Sequence, residues 1–308
     1  MSNRKALLVG VNQFQFLPNA TLKGCVNDTF DFAALLKDTL HFSDDDITLL
    51  HDDQATKVNI LSNLTTLVAA AKAGTVKYIV FLLSSHGTQV PDTSGDEADQ
   101  ADEAFCPHDL QQKGDQWDTD HVLIDDELHD LFIQLPDDVL LECYFDTCHS
   151  GTGLRPIDLM GFPDRPKPRY LPPPTLSAFD RLRALPSRGL ADLREGTRRV
   201  AKPKRALPGI KDPGLSSNTM VDTVSTESHH ILWAGCRSDQ TSADATFNGR
   251  PNGAFTYYYL QAIRSTQNKQ PRRKVLQLVR DALKTGGYDQ TVQLEADATN
   301  RNGRPPEA

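Results

Sequence analysis

"DVLLECYFDTCHSG", residues 138–151, is the stretch on which the reading of this chain turns. Its first part is rich in Val, Leu, Tyr and Phe, the composition of a strand buried on both faces. Then an acid, a thiol, an imidazole and a glycine follow within one turn: Asp146, Cys148, His149 and Gly151. Burial on both faces marks a parallel sheet covered by helices, and such sheets bind ligands beyond the carboxyl ends of their strands.

The same pattern recurs on either side. Apolar runs predict strands at "KALLVGVN" (5–12), "DITLLHD" (46–52), "VKYIVFLLSSHG" (76–87), "HHILWAGC" (229–236) and "QTVQLEA" (290–296). Helical periodicity fits 25–40, 57–74, 125–135, 253–264 and 272–287. Strands alternating with helices predict an α/β fold of three layers around a mostly parallel central sheet. His86 ends the third strand and Cys148 the fourth, so neighbouring strands would put both at one rim.

Composition limits the class. The chain has 308 residues, 38% hydrophobic content and a net charge of −8, as expected of a soluble globular protein. No run approaches the roughly 18 apolar residues of a membrane-spanning helix, and the N-terminus lacks the apolar length of a signal peptide. Five cysteines without a CxxC pair argue against a disulfide framework. A reducing, cytoplasmic setting is expected. The overall acidity argues against nucleic acid as the main ligand, but the charge is segregated. Residues 92–130 hold fourteen acids and one base, whereas 155–212 hold fourteen Lys/Arg against six Asp/Glu, with over half of the nineteen prolines. That basic, proline-rich stretch is expected to be mobile or loosely docked. It offers few aromatic rings for stacking on bases, so no nucleic acid is expected there either.

A thiolate attacks carbonyl carbon, and a nearby imidazole can take the thiol proton and later protonate a departing amine. Backbone N–H groups of Gly87 and Cys148, in tight small-residue turns, could stabilise an oxyanion. His86 is preferred over His149 as the base, because adjacent side chains usually point apart. Cys106 and His108 lack the paired spacing of a zinc site. Trp117 and Trp233 read as packing residues.

Taken together, "GCVND" (24–28), "SSHGTQVPDTSGDEADQADE" (84–103), "LIDDEL" (123–128), "DTCHSG" (146–151) and "GCRSDQTSAD…NGAFT" (235–256) resemble the metacaspases and their bacterial relatives. These are caspase-like cysteine peptidases of the haemoglobinase-fold clan. The resemblance implies one caspase-like peptidase domain over 1–308: a large-subunit-like region to 154, the basic insert at 155–228 and a small-subunit-like region at 229–308. It implies a Cys148–His86 dyad at the ends of strands three and four. It also implies an acidic primary specificity pocket for Arg or Lys, lined by Asp28, Asp146, Ser84 and Cys25. A carboxylate beside the nucleophile favours a cationic side chain, and arginine adds a planar fork of donors. By itself "CRSDQTSAD" shows no obvious titrating chemistry; the resemblance places it beside the substrate.

Many metacaspases are calcium-activated, and the resemblance maps candidate ligands onto Asp102, Asp125 and Asp126. The family's further acid falls near Arg155, a cation that would oppose a metal, so Asp99 is the substitute candidate. The chemistry itself needs no cofactor. The implied function is a monomeric cysteine endopeptidase cutting protein or peptide substrates after Arg/Lys through an acyl-enzyme. The basic insert is then a candidate for autoprocessing. Two other readings stay open on the sequence: a caspase-like binding module without turnover, and an Asp-specific caspase-type protease.

Overall fold

A computed structural model of the protein describes residues 2–91, 101–148, 166–174, 230–237 and 240–306. In chain order these give β1 (Arg4–Gly10), α1 (Cys25–Leu40), β2 (Ile47–His51), α2 (Lys57–Lys72) and β3 (Tyr78–Ser84). The short strands β4 (Gly87–Pro91), β5 (Ala101–Phe105), β6 (Gln112–Lys113), β7 (Gln116–Trp117) and β8 (Leu123–Ile124) follow, then α3 (Asp125–Phe132) and β9 (Leu140–Asp146). The remainder comprises β10 (Lys167–Pro168), β11 (Ile231–Ala234), β12 (Ala243–Phe247), β13 (Arg250–Gly253), α4 (Ala254–Thr266), α5 (Arg272–Thr285), β14 (Gln293–Glu295) and α6 (Ala298–Asn302).

Six strands form the central sheet in the order β14-β11-β9-β3-β1-β2. All pairs are parallel except β11 with β14, which is antiparallel. The period-2 alternation of strand side chains divides the core into two layers. Leu7, Val9, Phe81, Leu83 and Phe145 face Ile60, Leu64 and Val68 of α2 and Leu128 and Phe132 of α3. Leu8, Val80, Leu82, Tyr144 and Trp233 face Phe32 and Leu36 of α1, Tyr259 of α4 and Val275 of α5. The expected three-layer α/β architecture is what the chain adopts.

Three smaller sheets lie outside that frame, β10-β12-β13, β4-β5-β8 and β6-β7. Hydrophobic periodicity missed them because "GTQVP" and "ADEAF" carry charge, glycine and proline rather than an apolar run. No helix among the described residues is long and apolar enough to cross a membrane.

Candidate active site

β3 and β9 are adjacent and parallel, with Ser84 beside Asp146. Two residues beyond each lie His86 and Cys148, both buried. The His86 ring contacts the Ala20 carbonyl, 2.7 Å from Nε2. A carbonyl only accepts, so Nε2 carries the proton and Nδ1 keeps its lone pair. Nδ1 is buried without a hydrogen-bond partner, which leaves it free to take a proton. Burial pushes the imidazole down to about 3, with the carbonyls of Ala20 and Arg169 partly opposing it. The Cys148 Sγ is turned toward the loop before β12, where it accepts from the Ser242 N–H and lies 3.5 Å from the Ser242 carbonyl. Cys236 packs against it, together with Tyr170. Its thiol is raised by its contact with Cys148 and by burial. His149 lies outside the described residues.

Between the two rim loops runs an extended segment, residues 166–174. β10 pairs antiparallel with β12, Lys167 opposite Asp244 and Pro168 opposite Ala243. The Arg169 N–H donates to the Ser242 carbonyl at 3.0 Å. Its own carbonyl accepts from the N–H groups of Gly87 at 2.9 Å and Cys148 at 3.2 Å. These are the two donors that the sequence nominates for an oxyanion. Two residues further, the Leu171 N–H returns to the Gly87 carbonyl at 2.9 Å.

Here the structure corrects the expectation of a mobile, loosely docked insert, at least for these residues. Arg169 is wholly buried. Proline density predicts few internal hydrogen bonds, but it also favours extended chain, the form in which a strand can be added to an edge. The rest of the insert, 155–165 and 175–228, lies outside the described residues.

The Arg169 guanidinium occupies an acidic pocket. Nη2 meets Asp28 Oδ2 at 2.8 Å and Asp244 Oδ1 at 3.0 Å, while Nη1 lies 3.2 Å from Asp146 Oδ2. Nη1 also donates to the Ser84 hydroxyl at 2.8 Å, which in turn donates to Asp28. Asp28 and Asp146 are fixed where β13 meets α4. Gly253 N–H and Asn252 Nδ2 donate to Asp28, and the Thr256 N–H and hydroxyl donate to Asp146. Asp146 thus caps free donors in the first turn of α4, a favourable place for negative charge. A Cβ at Gly253 would collide with the Asp146 carboxylate and the Arg169 guanidinium, so glycine is required at this close approach. Burial raises Asp28 to about 6 against the pull of Arg169. Cys25, buried beside it, is raised chiefly by burial.

Asp244, Ser242, Arg169 and the Ala20 carbonyl are participants that sequence reasoning missed. Asp244 corrects the view of "CRSDQTSAD" as a loop without titrating chemistry. Besides Arg169 it accepts from the N–H groups of Lys23 and Gly24, both at 2.9 Å, so it ties the loop before α1 to the pocket wall. The available signal was an acid placed shortly after a strand on the ligand-binding edge.

The family model described as the metacaspase, peptidase C14 domain matches residues 4–156. Metacaspase-1 of Pyricularia oryzae is 33% identical over 305 positions, which cover 94% of this chain and 71% of that protein. The chain belongs to the metacaspase family. Metacaspase-1 of Coccidioides immitis is 31% identical over 310 positions, and here the chain spans 61% of the relative's length. Among solved structures, a Geobacter sulfurreducens protein matches with a TM-score of 0.61 at 25% identity, covering 100% of this chain and 99% of its own. Caspase-1 of Spodoptera frugiperda matches with a TM-score of 0.53 at 11% identity over 96% of this chain and 86% of its own, a likeness of fold.

Of the calcium ligands implied for this metacaspase, Asp102 lies in β5, and Asp125 and Asp126 lie in the first turn of α3. Asp125 opens α3 and is buried, with Oδ1 lacking a partner. Burial, then Asp126 and Asp102, raise its carboxyl to about 8. The described residues nevertheless contain no group of three or more His, Cys, Asp or Glu able to hold a metal ion. Asp99 and Arg155 lie outside them. None of the chemistry below runs through a metal cation.

Proposed function

We propose that this metacaspase is a cysteine endopeptidase that cleaves after arginine, and less efficiently after lysine, and that its own Arg169–Tyr170 bond is its first substrate. One observation carries the reading: the Arg169 side chain fills the acidic pocket while its carbonyl oxygen sits between the N–H groups of Gly87 and Cys148.

The chemistry follows from that placement. Rotation of the Cys148 side chain away from the Ser242 N–H brings Sγ to the Arg169 carbonyl carbon. His86 Nδ1 takes the thiol proton as sulfur adds, and the oxygen, now anionic, gains from the two N–H donors. The imidazolium then gives that proton to the Tyr170 nitrogen, the C–N bond breaks, and the chain beginning at Tyr170 leaves. Water attacks the thioester, with His86 again the base, and releases the Arg169 carboxylate and the free thiol.

Arginine is favoured because both Nη atoms find separate acceptors, Ser84 and Asp146 on one side and Asp28 and Asp244 on the other. A lysine ammonium is a single point charge and cannot reproduce that fork. An aspartate substrate would meet three carboxylates and be rejected.

The test is to incubate the purified chain beside Cys148→Ala and map new termini by mass spectrometry. Short Arg-, Lys- and Asp-terminated fluorogenic peptides are assayed in parallel. The expected results are a new N-terminus at Tyr170 in the wild type only, turnover in the order Arg, Lys, and none with Asp. Equal cutting in Cys148→Ala would remove the self-processing claim. Preference for Asp would favour a caspase-type protease, and an inert wild type a binding module.

A further inference from the structure

The contacts just described stop at the scissile bond on its acyl side, but the chain continues through the cleft on the leaving side, and its contacts there are as specific. We infer that the enzyme also reads the second residue after the cut, through a subsite made by Gly87 and Thr88, and that it takes an apolar residue other than proline there. This inference rests on the peptidase reading above and adds a second determinant of substrate choice.

Leu171 occupies that position. Its N–H donates to the Gly87 carbonyl at 2.9 Å, and its carbonyl accepts from the Thr88 hydroxyl at 2.7 Å. Gly87 therefore grips the peptide on both sides of the cut: its N–H holds the Arg169 oxygen and its carbonyl holds the Leu171 nitrogen. The Thr88 hydroxyl is not free to turn. Trp117 Nε1 lies 2.7 Å from it, and an indole N–H can only donate. Thr88 must accept from Trp117 and so has its proton left for Leu171. Trp117 is thus a positioning residue that acts through Thr88. The Leu171 side chain packs against the same core cluster that holds Phe105, Val90 and Trp117.

The insert sequence agrees with this division of labour. In "PKPRYLPPP" (166–174), prolines stand at 166, 168 and 172–174, and neither Arg169 nor Leu171, whose N–H groups donate to Ser242 and Gly87, is proline. A proline in place of Leu171 would leave the Gly87 carbonyl without its donor. A charged residue there would lie against the apolar cluster.

The experiment uses the wild-type protein and internally quenched peptides carrying "KPRYLPP", with Leu, Pro or Asp at the second position after arginine. A short Arg-coumarin amide, which has no residue there, is the control. The Pro peptide is expected to fall about 10- to 100-fold below the Leu peptide in kcat/KM, the size of one lost buried hydrogen bond. The Asp peptide is expected to lie between them. Thr88→Val should lower kcat/KM for the Leu peptide about tenfold, mainly through KM, and Thr88→Ser should restore it. Coumarin release together with equal turnover of the Leu and Pro peptides would overturn the inference and leave the peptidase reading standing. Turnover of neither coumarin amide nor peptides would overturn both.

Discussion

Arg272 and Arg169 are both buried and both meet acid, but they are anchored in opposite ways. Arg272 opens α5 and faces one carboxylate, Glu142, in the middle of β9. The pair is bidentate, with Nε to Oε1 and Nη2 to Oε2 both at 2.8 Å, and Nη1 donates to the Asn300 carbonyl. Glu142 is completed by Tyr78 and Trp233, each at 3.0 Å. Burial alone would raise Glu142, yet Arg272 holds it below the usual carboxylate range. One cation meets one anion, and each of the three guanidinium nitrogens donates a hydrogen bond.

Arg169 instead meets three carboxylates, and its Nε has no partner. A structural pair is balanced and sits on regular elements. The pocket is oversupplied with negative charge, and its cation arrives on a short extended segment. With the segment gone, that pocket still demands a cation. On the proposed function, the excess of acid, rather than the burial of an arginine, marks the place where a substrate arginine would be exchanged.

The largest effect that follows is on stability. Arg272→Met should cost about 3–5 kcal/mol, because Glu142 would remain buried without a counter-charge. Adding Glu142→Leu to the same chain should recover most of the loss. Denaturant unfolding of the two variants checks this. A loss below about 1 kcal/mol in the single variant would mean that the balanced pair is not structural.

Arg169→Ala should behave differently. Its acids open to water when the segment leaves, so the unfolding midpoint should barely move. Catalysis in trans should rise instead, since a tethered occupant competes at an effective concentration in the millimolar range. Initial rates on an Arg-coumarin peptide should exceed those of unprocessed wild type by about tenfold or more. Equal or lower rates would show that the segment does not block the cleft.

Much of this was legible in the chain, and the limits are physical. The central sheet was readable because strands such as β3 and β9 are continuous apolar runs, buried on both faces. Cys148 and His86 stood out because each follows such a run in a small-residue turn, and Asp28 and Asp146 because of the motifs that hold them. The Ala20 contribution was invisible, since a backbone carbonyl leaves no trace in residue identity. Asp244 was hidden because it lies at the start of a short strand within a polar stretch without periodicity. Arg169 was one of fourteen basic residues in the insert, and only three-dimensional pairing separates it from the others. β4, β5 and β8 went unread because their apolar residues, Val90, Ala104, Phe105 and Leu123, are buried in the same cluster as Leu128 and Phe132 of α3, while their own composition gives no strand signal.

The smallest effect expected concerns pH, and it sharpens the contrast between the two arginines. Asp28 titrates at about 6 while Arg169 is docked, above the ordinary carboxylate value because it is buried. A raised carboxyl loses its charge as pH falls through that value, so one of the three anions holding Arg169 is neutralised between roughly pH 7 and 5. His86 stays neutral throughout that window, because burial under the segment holds it down to about 3. The base is therefore not what fails on acidification. Glu142, held low by Arg272, keeps its charge over the same range, so the fold should be unaffected. The rate of self-cleavage at Arg169 should fall about three- to tenfold from pH 7 to pH 5 with a midpoint near 6, while circular dichroism stays constant. Asp28→Asn should cut more slowly and lose that midpoint. A wild-type rate that is flat across this range would mean that Asp28 does not help hold the arginine that is cut.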